Sequence, residues 1–238
     1  MKKTAIVTGC AKGIGREIAI DLARYGYNII GTFNTSLEDI DSLDKKIDML
    51  GVKFYKYNLD LLNDDSINNF IKDIKSNFNH IDLLVNNAAL SKDDEFDLKT
   101  SNEFIDILKV NLVGPFSLIQ GLYKLMDKGI IINISSTDGI DTYQRLNIDY
   151  SASKAGLINL TKSLALILDN IKVYAICPNW VDTESIREMN KDYLKEEMKR
   201  IHQRKLIDSK TISKKVIDLI NSKKDSGSII IMGDNDDR

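Results

Sequence analysis

Residues 4–33 limit the fold more than any other stretch. Thr4-Ala-Ile-Val7 is a short apolar run of the kind that forms a buried strand. The glycine-rich segment Thr8-Gly9-Cys10-Ala11-Lys12-Gly13-Ile14-Gly15 follows. A helical pattern then begins, with Ile14, Ile18, Leu22 and Ala23 apolar, and stops at Tyr25-Gly26. Asn28-Ile-Ile-Gly-Thr-Phe33 reads as a second strand. Strand, glycine turn, helix and strand in that order make the βαβ unit of a doubly wound sheet. The glycines either let backbone approach a pyrophosphate, with helix N–H groups as donors, or only pack the helix close to the strand. The first reading makes Gly9, Lys12, Gly13, Ile14 and Gly15 contacts of a bound dinucleotide.

The same alternation continues to the end of the chain. Residues 38–50 read as an amphipathic helix through Ile40, Leu43, Ile47 and Leu50, and Val52-Lys-Phe-Tyr-Lys-Tyr57 as a third strand. Asp60 or Asn63 suits a helix cap before the stripe of Ile67, Phe70, Ile71 and Ile74. Ile81-Asp-Leu-Leu-Val85 is a buried strand, and Asn86-Asn87-Ala88-Ala89 leaves its C-terminal end, where ligands of open α/β sheets sit. Asn86 either belongs to that site or ties neighbouring strands together. A long helix is predicted over 101–126, with Phe104, Leu108, Leu112, Phe116 and Ile119 facing a core and a bend at Gly114-Pro115. Strands at 129–134, 173–176 and 226–232 and a helix through Ile212, Val216, Ile217 and Ile220 complete the count. The prediction is a single α/β domain over residues 1–238, with a doubly wound, seven-stranded parallel sheet and helices on both faces.

Composition excludes several classes. A net charge of −2 argues against nucleic acid or an anionic membrane as the main partner. Two cysteines, Cys10 and Cys177, make no CxxC and no disulfide framework, so a reducing cytoplasm is expected. No apolar run reads as a membrane span, and Met1-Lys-Lys leads into a strand rather than a signal peptide. His80 and His202 are far apart without cysteine partners, which predicts no metal site. Cys177 reads as a packed core thiol.

Tyr150-Ser-Ala-Ser-Lys154 carries the chemistry. Four residues apart on a helix, the phenol and the ammonium share a face. Tyrosine titrates near ~10, and a lysine held close disfavours the neutral phenol. The pair is a candidate general acid for a carbonyl oxygen, or an ordinary helix face with two amphipathic side chains.

The glycine spacing G-x-x-x-G-x-G, taken with Tyr150-x-x-x-Lys154, resembles the short-chain dehydrogenase/reductase family, whose single Rossmann domain agrees with the pattern above. Residues 8–16 look most like its 3-oxoacyl-acyl-carrier-protein reductases. The resemblance implies a catalytic set of Asn111, Ser136, Tyr150 and Lys154, with a water near Asn111 linking the lysine to solvent. Asn111 would otherwise be a structural mid-helix residue. Asn58 and Leu59 would lie against adenine. Asn87, Ala88 and Ala89 would approach the nicotinamide ribose, Ala89 replacing the family's glycine. Leu90-Ser-Lys-Asp93 resembles the loop that follows. Gly139 fits the pattern after Ser136. The segment from Ser136 to Tyr150 is one residue longer than usual, which predicts an enlarged loop. Pro178, Val181 and Thr183 would meet the carboxamide, with Asn179 standing for a glycine and taking φ > 0. The charged stretch 184–210 would be a substrate lid. The final strand would build a homodimer or homotetramer, although the family's Asp-Gly-Gly ending is replaced by a polar tail, residues 234–238.

Cofactor choice follows from charge. An NAD site wants a carboxylate at the end of the second strand. Asn34, Thr35 and Ser36 stand there instead, and Glu38 and Asp39 come too late. With Lys12 in the turn, these donors suit a 2′-phosphate, so NADP(H) is expected over NAD(H), unless Lys12 is simply solvated. The expected activity is NADPH-dependent reduction of a small-molecule carbonyl compound, or the reverse. The resemblance implies a 3-oxoacyl thioester carried by acyl carrier protein. A sugar, polyol or steroid-like alcohol, or a non-enzymatic NADP-binding or scaffolding role, are the alternatives.

Overall fold

The computed structural model describes residues 2–233. In chain order the elements are β1 (Thr4–Val7), α1 (Gly13–Arg24), β2 (Asn28–Phe33), α2 (Leu37–Asp48), β3 (Phe54–Asn58), α3 (Asp64–Asn77) and β4 (Leu83–Asn86). Then come α4 (Ser101–Leu108), α5 (Gly114–Leu122), β5 (Ile130–Ile134), α6 (Ile148–Ala165), β6 (Lys172–Pro178) and β7 (Val181–Asp182). The last are α7 (Glu184–Glu188), α8 (Lys191–Arg200), β8 (Ile207–Asp208), α9 (Ser209–Ile220) and β9 (Ile229–Met232). Seven strands form one parallel sheet in the order β3-β2-β1-β4-β5-β6-β9. The chain winds outward from β1 in one direction and from β4 in the other. Strand alternation sorts the core into two layers. Ala5 and Val7 face α1, α2 and α9 through Ile18, Leu22, Ile40, Leu43, Ile212 and Val216. Ile6 faces the other way, with Ile67, Phe70, Ile74, Leu118 and Leu122 from α3 and α5.

The helix over 101–126 departs from its predicted face at one residue. Its N-terminus carries a capping box between Thr100 and Glu103. Between α4 and α5, Lys109–Val113 form one wide turn of π-helix. The buried positions are Ile107, Val110, Asn111, Gly114, Pro115, Leu118, Ile119 and Leu122, while Phe116 is 40% exposed. The expected bend is thus a π-turn just before Gly114-Pro115. Of the predicted face, Ile119 is buried, Phe104, Leu108 and Leu112 are half-buried, and only Phe116 turns outward. The stretch Ser101–Leu125 is long and apolar enough to cross a membrane by composition, contrary to the sequence reading. Here it packs against α3 and α6.

Two other features were not predicted. Val181 and Asp182 pair in parallel with Ile207 and Asp208, forming a small second sheet at the foot of the 184–210 segment. The buried Gln203 side chain clamps the same foot, accepting from Trp180 N–H at 3.0 Å and donating to Trp180 O at 2.8 Å. His202 lies past the end of α8 at φ +58°. The tail 234–238 lies outside the described residues.

A buried polar chain ties the sheet's centre to α6. Asn86 Nδ2 donates to Asn133 Oδ1 at 2.8 Å, and Asn133 Nδ2 to Thr161 Oγ1 at 2.9 Å. Asn86 therefore joins β4 to β5, the second of its two sequence readings. Asn133→Ala should strand the Asn86 amide and lower stability by about 1–3 kcal/mol in urea unfolding, with the far-ultraviolet spectrum unchanged.

Candidate active site

Four strand ends meet at the edge where the winding reverses. The Thr8 hydroxyl accepts from Asn87 N–H at 2.9 Å and Ala88 N–H at 3.0 Å. The Asn87 amide donates back to Thr8 O at 2.9 Å and Gly9 O at 3.1 Å. Thr32 Oγ1 accepts from Gly9 N–H at 3.2 Å. Gly9 takes φ +61°, and a Cβ there would stand 2.9 Å from Ala88 Cα. Gly15 packs from behind, where a Cβ would meet Gly9 O and the Asn87 amide, each at 2.4 Å. The turn therefore needs these glycines to bring β1, α1 and β4 together.

Tyr150 and Lys154 enter from α6, one turn apart. The start of α6 is anchored by a buried ion pair, Asp149 with Lys99 at 2.8 Å. Asp149 also accepts from Tyr150 N–H at 2.9 Å. Ser136 leaves the end of β5, and its Oγ accepts from Asp138 N–H at 3.1 Å. Gly139 lets this turn lie on α6, since a Cβ would come within 2.5 Å of Ala155 N. Lys154 Nζ donates to Ile134 O at 2.9 Å and stands 5.2 Å from the Tyr150 ring centroid.

These groups border one cleft of about 560 Å³. Of the sequence-derived residues, Gly9, Lys12, Gly13, Ile14 and Asn34 line it, as do Leu59, Asn87, Ala88 and Ala89. Ser136, Tyr150, Lys154, Pro178, Val181 and Thr183 line it as well. Gly15, Thr35, Ser36, Asn58 and Asn111 do not. The Asn58 amide donates to Asn34 O, holding the loop after β2. Asn111 is fully buried: it accepts from Leu90 N–H at 2.7 Å and donates to Leu90 O at 2.8 Å and Ser153 Oγ at 3.0 Å. Its side chain fastens the 90–93 loop to α6 from behind the wall. Asn179 has no positive φ, contrary to expectation; its side-chain oxygen instead accepts from the Thr137 hydroxyl. The cleft fits a dinucleotide on the backbone approach at Gly9 and on the α1 N-terminus, which has no side-chain cap and no acid in its first turn.

Sequence reasoning missed Thr32, Asp93, Asp138, Gln144 and Asn147, all on the cleft wall. Asp138 had a signal, an acid two residues beyond a strand-end serine. Gln144 and Asn147 lie in an aperiodic loop and had none.

The electrostatics differ from the sequence expectation. Burial pushes the Tyr150 phenol well above its ordinary pKa, the Asp138 carboxylate adds to this, and a hydrogen bond with Ser136 opposes it. The phenol therefore keeps its proton across the neutral range. Lys154 does not bring it down. Burial pulls the lysine itself to about 8. Cys10 and Cys177 are buried, and burial raises both thiols, to about 12 and about 11.

The family model described as short chain dehydrogenase matches residues 3–194. The chain is 34% identical to the 3-oxoacyl-acyl-carrier-protein reductase of Buchnera aphidicola, over 93% of this chain and 91% of that protein. It is 39% identical to the corresponding reductase of Aquifex aeolicus, over 76% of this chain and 75% of that one. Among solved structures, a dehydrogenase/reductase from Sinorhizobium meliloti superposes with a TM-score of 0.90 at 27% identity, covering 99% of this chain and 95% of that chain.

Because the Lys154 pKa is depressed on folding, the unfolded chain binds more protons between about 8 and 10.5, and stability rises with pH there. Lys154→Met should resist urea better than the parent at neutral pH. The gap should close as pH climbs through that window.

Proposed function

This chain belongs to the short-chain dehydrogenase family, and on that premise we propose that it reduces a carbonyl group to an alcohol with NADPH. Family membership makes it an oxidoreductase of CH–OH and C=O groups that uses NAD(P). The observation that carries the finer reading is the phenol of Tyr150, loaded with its proton and bordering the same cleft as the glycine turn. Held at the Gly9 turn and the α1 N-terminus, a nicotinamide cofactor would supply the hydride for the carbonyl carbon. Ser136 and Tyr150 hold the carbonyl oxygen, and Tyr150 Oη gives up the proton that the forming alkoxide takes. Lys154, buried and anchored on Ile134 O, offers positive charge beside the phenolate left behind. Asn111 holds the Leu90 loop and α6 in register, a positioning role.

NADP(H) over NAD(H) is supported by Lys12 and by the absence of an acid among Asn34, Thr35 and Ser36. Lys12 pairs with Asp39 at 3.0 Å, both side chains being substantially exposed, so the ammonium is held at the rim without being buried. The 184–210 segment borders the cleft through Glu184, Ile186, Met189 and Ile201, which supports its reading as a lid. Exposed Ile105, Val113, Phe116 and Tyr123 around α4 and α5 support a homo-oligomer. The unpaired, buried cysteines suit a reducing cytoplasm.

Two substrate classes have support. The relatives that are 34% and 39% identical over the aligned residues favour a 3-oxoacyl thioester. The polar wall around Asp138 favours a hydroxylated carbonyl compound.

Tyr150→Phe should lower NADPH consumption roughly a thousandfold with any carbonyl the parent reduces. It should leave NADPH binding intact, and equal rates would refute the role of the phenol. By fluorescence titration NADPH should bind more tightly than NADH, and Lys12→Ala should narrow the gap by about tenfold. Tighter binding of NADH would overturn the cofactor assignment.

A further inference from the structure

Beyond Ser136 and Tyr150 the cleft wall is built from Asp93, Asp138, Gln144 and Asn147. Their hydrogen bonds fix which atoms remain for a ligand. Asp138 accepts from the Thr142 hydroxyl at 2.5 Å through Oδ1 and from Gln144 Nε2 at 2.9 Å through Oδ2. The Gln144 amide cannot be turned over, because that would set its oxygen against a carboxylate oxygen. Asn147 Nδ2 donates to Asp93 Oδ1, which fixes that amide in the same way. Both amides have committed a donor edge to a carboxylate. Their oxygens, Gln144 Oε1 and Asn147 Oδ1, are sealed from solvent and have no hydrogen-bond partner. The two residues are only 8% and 5% exposed.

Nearby cations are engaged elsewhere. Arg200 donates to Glu197 at 2.7 Å, Arg145 stands 3.6 Å from the same carboxylate, and Lys99 is paired with Asp149. Two carboxylates and the two amide residues thus line a space whose free donors, Ser136 and Tyr150, serve the reacting oxygen, and the unpartnered amide oxygens lie just beneath its surface. A buried acceptor without a donor is left with its desolvation uncompensated. An alkyl chain brings no donor to it, whereas a hydroxyl brings one. The same cleft is also lined by Trp180, Ile186 and Met189, apolar side chains that suit a carbon skeleton.

We propose that this acceptor wall selects a small carbonyl compound with hydroxyl groups on the neighbouring carbons, a hydroxyketone or sugar, over an alkyl 3-oxoacyl chain. The inference deepens the reductase reading and rests on it. Small rotations of Gln144 and Asn147 toward incoming hydroxyls would complete their hydrogen bonding.

The test is NADPH oxidation with matched carbonyls: hydroxyacetone and dihydroxyacetone against acetone, a ketohexose against 3-hexanone, and an acetoacetyl thioester. Hydroxylated compounds should exceed their alkyl counterparts by about a hundredfold or more in kcat/KM. Gln144→Met, close in volume, should raise KM for the hydroxylated set by about tenfold while alkyl ketones change less than about twofold. Asn147→Leu, which removes the second amide oxygen, should act in the same direction and serves if Gln144→Met folds poorly. With NADP+ present, hydroxylated compounds should raise the parent's Tm more than alkyl ketones do. A faster reaction with the thioester, or equal losses on both sets in the variants, overturns the acceptor wall and leaves the reductase reading standing. No NADPH consumption with any carbonyl overturns that reading, and this inference with it.

Discussion

The geometry of the cleft depends on one hydroxyl. Thr8 Oγ1 accepts two consecutive N–H groups from β4's exit, and Asn87 returns two hydrogen bonds to the backbone of the glycine turn. Four hydrogen bonds thereby lock the ends of β1 and β4 at the line where the winding reverses. A doubly wound sheet opens a crevice along that line whatever its sequence. Here the crevice has a fixed floor, because Gly9 must sit against Ala88 for the hydrogen bonds to form. The α1 N-terminus, the Asn87–Ala89 backbone and the α6 side chains are placed relative to that floor.

Placing Lys154 in this setting works against stability. The ammonium is buried, and one backbone carbonyl accepts its hydrogen bond. Such a group is expensive to keep charged and is retained where its charge has a use. The neighbouring phenol is buried too, and burial favours its neutral form. The two shifts act together on the protons. The tyrosine keeps its proton, and the lysine holds its own less firmly than usual. On the proposed reading, a reduction that consumes a proton at the substrate oxygen would find that proton in hand.

Much of this was legible from residues 4–33 and from Tyr150-x-x-x-Lys154, because those signals are local. A strand-turn-helix shows in apolar spacing, and two side chains one helical turn apart must share a face. Asn63 as the cap of α3 was legible for the same reason, and it accepts from Asp65 and Ser66 N–H. What failed was non-local. The π-turn at Lys109–Val113 widens one turn of the helix, and a strict 3.6-residue template cannot register it. The β7–β8 pair joins segments far apart in the chain through two residues each, too few to leave a period. Tyr150's pKa was read from its neighbour alone, whereas the depth of the cleft decides it. Gln144 and Asn147 matter only because Asp138 and Asp93 hold one edge of each amide, and no spacing rule encodes that.

The small β7–β8 sheet has a consequence for how such a molecule can change. The excursion carrying α7 and α8 leaves and returns through two adjacent strands, with Gln203 riveting the junction. Entry and exit stand side by side, like the two ends of a bucket handle. Its length and side chains could drift over generations while the seven-stranded platform beneath kept its register. New ligand preferences could then arise by rewriting the handle and the facing loop, with the hydride-transfer machinery left alone.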